Sequence, residues 1–144
     1  MGPSSWRRTN IGRLMNEAVR VFEQRVLELM RERGFSDLGA AHVNLTRHLD
    51  EDGSRLTELA ERAAMTKQSM RELVEQVERA GLVQRKPDPN DGRAKIIVFT
   101  PAGLKWLAAF GESVATAEEE MADVIGSERL KQARDAMRQY VAGR

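Results

Sequence analysis

The sequence predicts a mainly α-helical chain with one small β-hairpin, an α+β fold in which the sheet is the minor part, and three observations carry that expectation. Residues 56–80 hold two short amphipathic patterns separated by a tight turn. Residues 83–99 hold two strand-like runs around a charged tip rich in Pro and Gly. Both chain ends are long runs of apolar residues at helical spacing. Helix, turn, helix and hairpin in that order make a winged helix-turn-helix, a shape that usually holds double-stranded DNA.

Taken in order, residues 6–33 carry Ile11, Leu14, Met15, Ala18, Val21, Phe22, Leu29 and Met30 at helical spacing, and Gly34 ends the run. A further helix over about 39–50 uses Ala41, Leu45 and Leu49, after which Asp52-Gly53 turns the chain. The first helix of the motif is expected to begin at Thr57, whose hydroxyl can cap it. Glu58 and Glu61 lie near the positive end of its dipole, and Leu59, Ala60 and Ala63 form a small buried face. Past the turn at Ala64-Met65, Thr66 is a second N-cap, and Met70, Leu73, Val74, Val77 and Ala80 form one core stripe. Gly81 is the expected left-handed residue after that helix, with Leu82 as the closing apolar contact.

Val83 to Lys86 alternates apolar and polar, Pro87 to Gly92 reads as the tip, and Lys95 to Phe99 is β-branched and apolar. Thr100 caps the next helix and Pro101 takes its first position, where a missing N–H costs nothing. That helix, over 101–125, presents Leu104, Leu107, Gly111, Val114, Met121 and Ile125. Gly126 breaks it, Ser127 is expected to cap a last helix, and Leu130, Ala133, Met137 and Val141 are expected to face inward. The expected division is an N-terminal dimerisation helix over 1–38, a winged helix-turn-helix over 39–100 and C-terminal dimerisation helices over 101–144.

Length and composition narrow the class. At 144 residues the chain can hold one domain's core. The absence of Cys removes disulfides and thiolate metal sites, and it fits a reducing cytoplasm. No apolar stretch approaches the roughly 20 residues of a membrane span. The N-terminus, MGPSSWRRTN, is polar and basic rather than signal-like, so a cytoplasmic protein without membrane contact is expected. A net charge of +1 does not mark the whole chain as a nucleic-acid binder, so any such charge must be local. Arg55, Lys67, Arg71, Arg85, Lys86, Arg93 and Lys95 all fall on the cap, the outward helix face or the wing. Glu118, Glu119 and Glu120 lie far down the C-terminal helix and read as a solvated face. The end helices have apolar stripes and little sheet to bury them against, which calls for a partner, most simply a second copy about a two-fold axis.

In such a dimer, recognition helices roughly 34 Å apart meet successive major grooves. Lys67, Gln68, Ser69 and Arg71 follow the Thr66 cap and avoid the core stripe, so they are the candidates for base edges, with phosphate contact or solvent exposure as their alternatives. Arg93 at the wing suits a narrow minor groove. Arg85 and Lys86 suit phosphates, and Arg55 and Lys95 extend the same basic surface.

The segments LTELAERAAMT, KQSMRELVEQVERAGLVQR and DGRAKIIVFTPAGLKWL resemble the MarR family of transcriptional regulators, and the resemblance runs along essentially the whole chain. It implies a triangular homodimer that reads a pseudo-palindromic operator, first as a repressor. It also implies release by a small ligand, often an aromatic carboxylate or phenolic compound. By the same resemblance Asp91 corresponds to the residue that orients the wing arginine, here Arg93. The chain departs from the family where a small hydroxyl residue and then a basic one give way to Arg71 and Glu72. One residue is about 100° of helix rotation, so Glu72 is left to face phosphate, accept from cytosine, or pair with Lys67 or Arg79. Trp6, Arg13, His42, Arg47, His48 and Trp106 could line an effector site for an anionic aromatic compound by stacking and charge pairing, although residues of these kinds are more often packing, surface or interface residues.

Catalytic signatures are missing. His42 and His48 fall on different helix faces, and the sequence has no HExxH, GxSxG, P-loop or GxGxxG, so neither an enzyme nor a bound metal or cofactor is expected. Two readings compete with the ligand-released regulator. One is a winged helix that binds protein, and the other is a DNA-binding regulator without an effector.

Overall fold

The computed structural model describes residues 2–35 and 39–144. In chain order its elements are α1 (Trp6–Thr9), α2 (Ile11–Glu32), α3 (Ala40–His48), β1 (Ser54–Arg55), α4 (Leu56–Arg62), α5 (Lys67–Arg79), β2 (Val83–Asp88), β3 (Asp91–Phe99), α6 (Pro101–Ile125) and α7 (Ser127–Ala142). The chain forms two compact units, one of residues 27–110 and one of residues 1–26 with 111–144. The domain boundary expected at residue 38 lies outside the described residues, as does the Ala41 side chain.

The 27–110 unit holds the helix pair and the hairpin. Its antiparallel sheet has the order β1-β3-β2, and β1 was not expected. Two residues carry no periodicity, yet Ser54 pairs with Ile97 and Arg55 with Ile96. Pairing also moves the start of the next helix. Arg55, held extended, becomes the N-cap of α4 without a side-chain cap bond, so Thr57 lies inside the helix and is not its cap. Ala63 ends α4, and Ala64 turns the chain with a φ of +53°.

Thr66 caps α5 as expected, its Oγ1 accepting from the Ser69 amide at 3.0 Å. Met70, Leu73, Val74 and Val77 are buried, whereas Ala80 is exposed, because α5 has already ended there. Gly81 takes a φ of +82°, and the Leu82 amide returns to the Val77 carbonyl at 3.3 Å, closing the helix end. The strands run further than the residue pattern suggested. Pro87 and Asp88 belong to β2, and Asp91 and Gly92 to β3, so the turn itself is only Pro89-Asn90. Thr100 Oγ1 accepts from the Gly103 amide at 3.0 Å and donates to the Gly81 carbonyl at 2.6 Å, which ties the start of α6 to the end of α5. Leu45, Leu59, Met70, Val74 and Val77 are fully buried in this unit. Each such side chain contributes about 1.5–3 kcal/mol relative to exposure.

The other unit is helical. The expected single first helix is interrupted at Asn10, which is extended and whose Oδ1 accepts from the Arg13 amide at 3.0 Å, so Asn10 caps α2. The α2 and α6 segments are joined by a two-pronged bridge in which Arg25 Nε and Nη2 donate to the Glu120 carboxylate at 2.7 and 2.8 Å. Arg134 of α7 reaches Glu118 at 3.0 Å. Glu118 and Glu120 are therefore surface ion-pair partners whose side chains stay 37% and 42% exposed, and Glu119 between them is exposed. That bridge also holds the Glu120 carboxyl below its ordinary value. Gly126 separates α6 from α7 and is itself the N-cap, so Ser127 is the first residue of α7 and not its cap.

Ala133, Met137 and Val141, expected to face inward, are exposed in the single chain, and only Leu130 of that stripe is half-buried. An open groove of about 550 Å³, lined by Leu14, Ala18, Val21, Phe22, Met121 and Val124, runs between the α2 and α6 segments of this unit.

Candidate nucleic-acid interface

Two elements of the 27–110 unit present exposed polar groups, the start of α5 and the β2–β3 wing. Lys67, Gln68, Ser69, Arg71 and Glu72 are all exposed. Burial of Met70, Leu73 and Val74 on the opposite face fixes that exposure, since helix positions one or two residues apart point in different directions. Thr66 is occupied as a cap and also donates to Ser69 Oγ at 2.9 Å. Gln68 sits between its neighbours, accepting from Arg71 Nη1 at 3.3 Å and donating to Glu72 at 3.3 Å. Gln68 is thus the partner seen for Glu72, where the sequence left Lys67 and Arg79 open.

The wing carries exposed Arg85, Lys86, Arg93 and Lys95. Arg85 lies 3.8 Å from both Glu75 and Glu78 of α5, so its charge is partly answered inside the protein. The hairpin pairs regularly up to Pro87 with Lys95, then jumps to Asp88 with Asp91. Residues 92–94 are therefore extra on β3, and Arg93 stands at the middle of that bulge.

Four short bonds hold the bulge and turn. Asp88, buried at 8% exposure, accepts from the Asn90 amide at 2.9 Å through Oδ1. Its Oδ2 accepts from Arg55 Nε at 2.8 Å and Nη2 at 2.7 Å. The Asn90 amide and then Arg55 pull the Asp88 carboxyl below its ordinary range, and Asp88 raises Arg55 in turn. Asp91 Oδ1 accepts from the Arg93 backbone amide at 3.1 Å, and its other oxygen lies 3.9 Å from Arg55. Asp91 thus holds Arg93 through its backbone amide. The two-residue spacing brings a short aspartate to the amide, while the long arginine side chain is exposed.

The expected DNA-facing residues thus gather in one unit, at the first turns of α5 and on the sheet. The six effector candidates are divided between the units. Trp6 is 63% exposed in the helical unit, and Arg13 there pairs with Glu17 at 3.2 Å. In the other unit, half-buried His42 accepts from the Gly39 amide at 3.2 Å through Nδ1, and burial lowers its pKa. His48 is half-buried and Arg47 exposed. Trp106 is fully buried and stacks on Phe110 with centroids 4.9 Å apart, and its Nε1–H has no partner among the described residues.

Two organising residues escaped the sequence reading. Arg62 joins α4 to the end of α3 through the His48 carbonyl at 2.8 Å and Asp50 at 3.0 Å, and Asp88 pairs with an arginine 33 residues earlier. Neither pairing has a local signal. Among the described residues, no group of three or more His, Asp or Glu side chains could hold a metal ion. No helix there is long and apolar enough to cross a membrane.

Comparison with known proteins bears on this geometry. Residues 36–94 match the model of the MarR family. Over 83 residues the chain is 36% identical to the transcriptional regulator HosA of Escherichia coli O111:H-, a match spanning 56% of this chain and 60% of that protein. Among solved structures, the S. aureus MepR–DNA complex superposes with a TM-score of 0.70 at 19% identity, covering 94% of this chain and 98% of that one. CouR from Rhodococcus jostii RHA1 bound to p-coumaroyl-CoA gives 0.71 at 22% identity, covering 92% of each chain. At these identities the two structures establish the shared fold.

Proposed function

We propose, from the match of residues 36–94 to the MarR-family model, that this chain is a MarR-family DNA-binding transcriptional regulator, acting as a repressor and as a homodimer. The observation that carries the proposal is the pairing of two features in one unit. A capped, exposed helix start bears Lys67, Gln68, Ser69 and Arg71, and a bulged wing displays Arg93 beside Lys86 and Lys95. In this reading the first turns of α5 enter the major groove. Gln68 pairs with adenine or Arg71 with guanine, each worth about 1–3 kcal/mol of discrimination. Lys86 and Lys95 neutralise phosphate, which supplies affinity without sequence information. Arg93 enters the minor groove, where narrow stretches concentrate negative potential.

The helical unit supplies the dimer. Val21 and Val124, which line the open groove, are 61% and 85% exposed, and Ile11 on the same helix as Val21 is 66% exposed, an arrangement that a second copy would cover. The division into end helices over 1–38 and 101–144 and a reading head over 39–100 belongs to the same proposal. A small anionic aromatic effector completes it, supported by the structural likeness to CouR, which was solved with p-coumaroyl-CoA bound. Such a ligand releases DNA by favouring a conformation whose reading heads are wrongly spaced. Selection from a random duplex library tests the function. The reading expects an enriched pseudo-palindrome with half-sites about 10 bp apart or a multiple of that. Recovery of no sequence above background would reject it.

A further inference from the structure

We propose that Arg55 and Asp88 form a strap that presets the wing, making Arg55 a positioning residue for Arg93 and not a contact to phosphate. In the sheet order β1-β3-β2, Arg55 and Asp88 belong to the two outer strands. Their bond therefore crosses the central strand near the place where residues 92–94 bulge out with Arg93. Ladder pairing of Arg55 with Ile96 fixes the near end of the strap.

At the far end both oxygens of Asp88 are occupied, one by the Asn90 amide within the turn and one by the guanidinium. The same guanidinium has Asp91 at 3.9 Å, and Asp91 holds the Arg93 amide. One arginine thus touches both acids that shape the turn and bulge. With a carboxylate bound and a second one close by, it has little charge left to offer a phosphate. A bulge of three extra residues has many conformations, and holding it in one before binding avoids the ordering cost at the moment of binding.

The consequence for DNA rests on the function proposed above, but the strap itself can be tested without DNA. Amide exchange is followed by nuclear magnetic resonance in the free wild-type protein, Arg55→Gln, Asp88→Asn and the double variant. The strap predicts about tenfold faster exchange at Asn90 and Arg93 in each single variant, with the double variant no worse than the singles because the two residues act as one unit. Unchanged exchange, or effects that simply add, would overturn it. Arg55 is part-exposed, so Arg55→Gln keeps the test decisive even where Asp88→Asn fails to fold.

Binding of a selected duplex then gives a result of opposite sign for the competing idea. If Arg55 were merely a cation masked by Asp88, removing that carboxylate would tighten DNA binding. The strap predicts about tenfold weaker binding, since hydrogen bonds to charged groups are among the stronger ones. Binding by Asp88→Asn as tight as or tighter than wild type would overturn the positioning role. Failure of the wild type itself to prefer any duplex would reject the DNA reading, while the exchange rates would still decide the strap.

Discussion

Replacing Gly103 by Ala is the substitution for which the structure specifies the damage most closely. A Cβ at that position would lie 1.9 Å from the Leu82 carbonyl oxygen, 2.9 Å from its carbon and 3.2 Å from Phe99 Cδ1. The obstacle is backbone, so no rotamer change can relieve it. Restoring a carbon–oxygen contact of roughly 3.3 Å requires the start of α6 and the entry to β2 to part by about 1.4 Å. That movement pulls on three bonds: the Thr100 amide to the Leu82 carbonyl at 2.9 Å, the Thr100 hydroxyl to Gly81 at 2.6 Å, and the Gly103 amide to Thr100 at 3.0 Å. Overpacking at about 2 kcal/mol, with two or three weakened bonds at about 1 kcal/mol each, gives a loss of about 4–5 kcal/mol. For a chain of this size that is a fall in Tm of about 10–15 °C. Far-UV circular dichroism during heating and urea titration, at fixed protein concentration, measures it. Gly111→Ala on the same helix has nothing within 4 Å of its Cβ and should stabilise by about 0.5–1 kcal/mol. A loss below about 1 kcal/mol for Gly103→Ala, or the same sign for both variants, would refute the reasoning from close backbone approach.

Three further outcomes follow from other parts of the molecule. Ala64 adopts a left-handed φ of +53° in the turn between α4 and α5. Ala64→Gly should raise stability by about 0.5 kcal/mol, the relieved strain exceeding the added chain entropy, and a loss in the urea midpoint would contradict this. Val124→Asp places a charge on a side chain that is 85% exposed in the single chain. It should leave the helical content intact yet weaken dimerisation at least about a hundredfold in sedimentation experiments, because a second copy would bury that charge unpaired. His42 carries a pKa depressed by burial from 6.5, with Nδ1 accepting a backbone amide. Below about 6.5 the unfolded chain takes up a proton that the native state still refuses, so stability falls as pH drops through that value and stops falling, for this group, under the native pKa. His42→Gln, which keeps an acceptor, should flatten the slope just below about pH 6.5, and an unchanged slope would assign it elsewhere.

Features set by neighbouring residues were legible in the chain. Thr66, Gly81 and Thr100 mark their helix ends through bonds that close within a few positions, and the Met70, Leu73, Val74, Val77 stripe follows from helical period alone. Features set by distant partners were not. The two-residue strand β1 exists because Ile96 and Ile97 lie beside it, and missing it shifted the expected cap from Arg55 to Thr57. Asp88 reads locally as a turn aspartate between two prolines, and only the fold delivers Arg55 to it. Glu118 and Glu120 read as solvent-facing because Arg134 and Arg25 are far away in sequence. The stripe of α7 shows the remaining limit. Periodicity marks Ala133, Met137 and Val141 as one face of a helix, but period says nothing about whether their own chain or another covers them.

Salt-titrated binding of the purified protein to the intergenic DNA upstream of its own gene, with Arg93→Ala measured beside the wild type, tests the central claim most directly. A DNA-reading wing predicts affinity that falls steeply with salt for the wild type. For Arg93→Ala it predicts weaker binding at every salt concentration and a log–log slope shallower by about one per reading head. Binding that is insensitive to salt, or an Arg93→Ala line superimposed on that of the wild type, would contradict it.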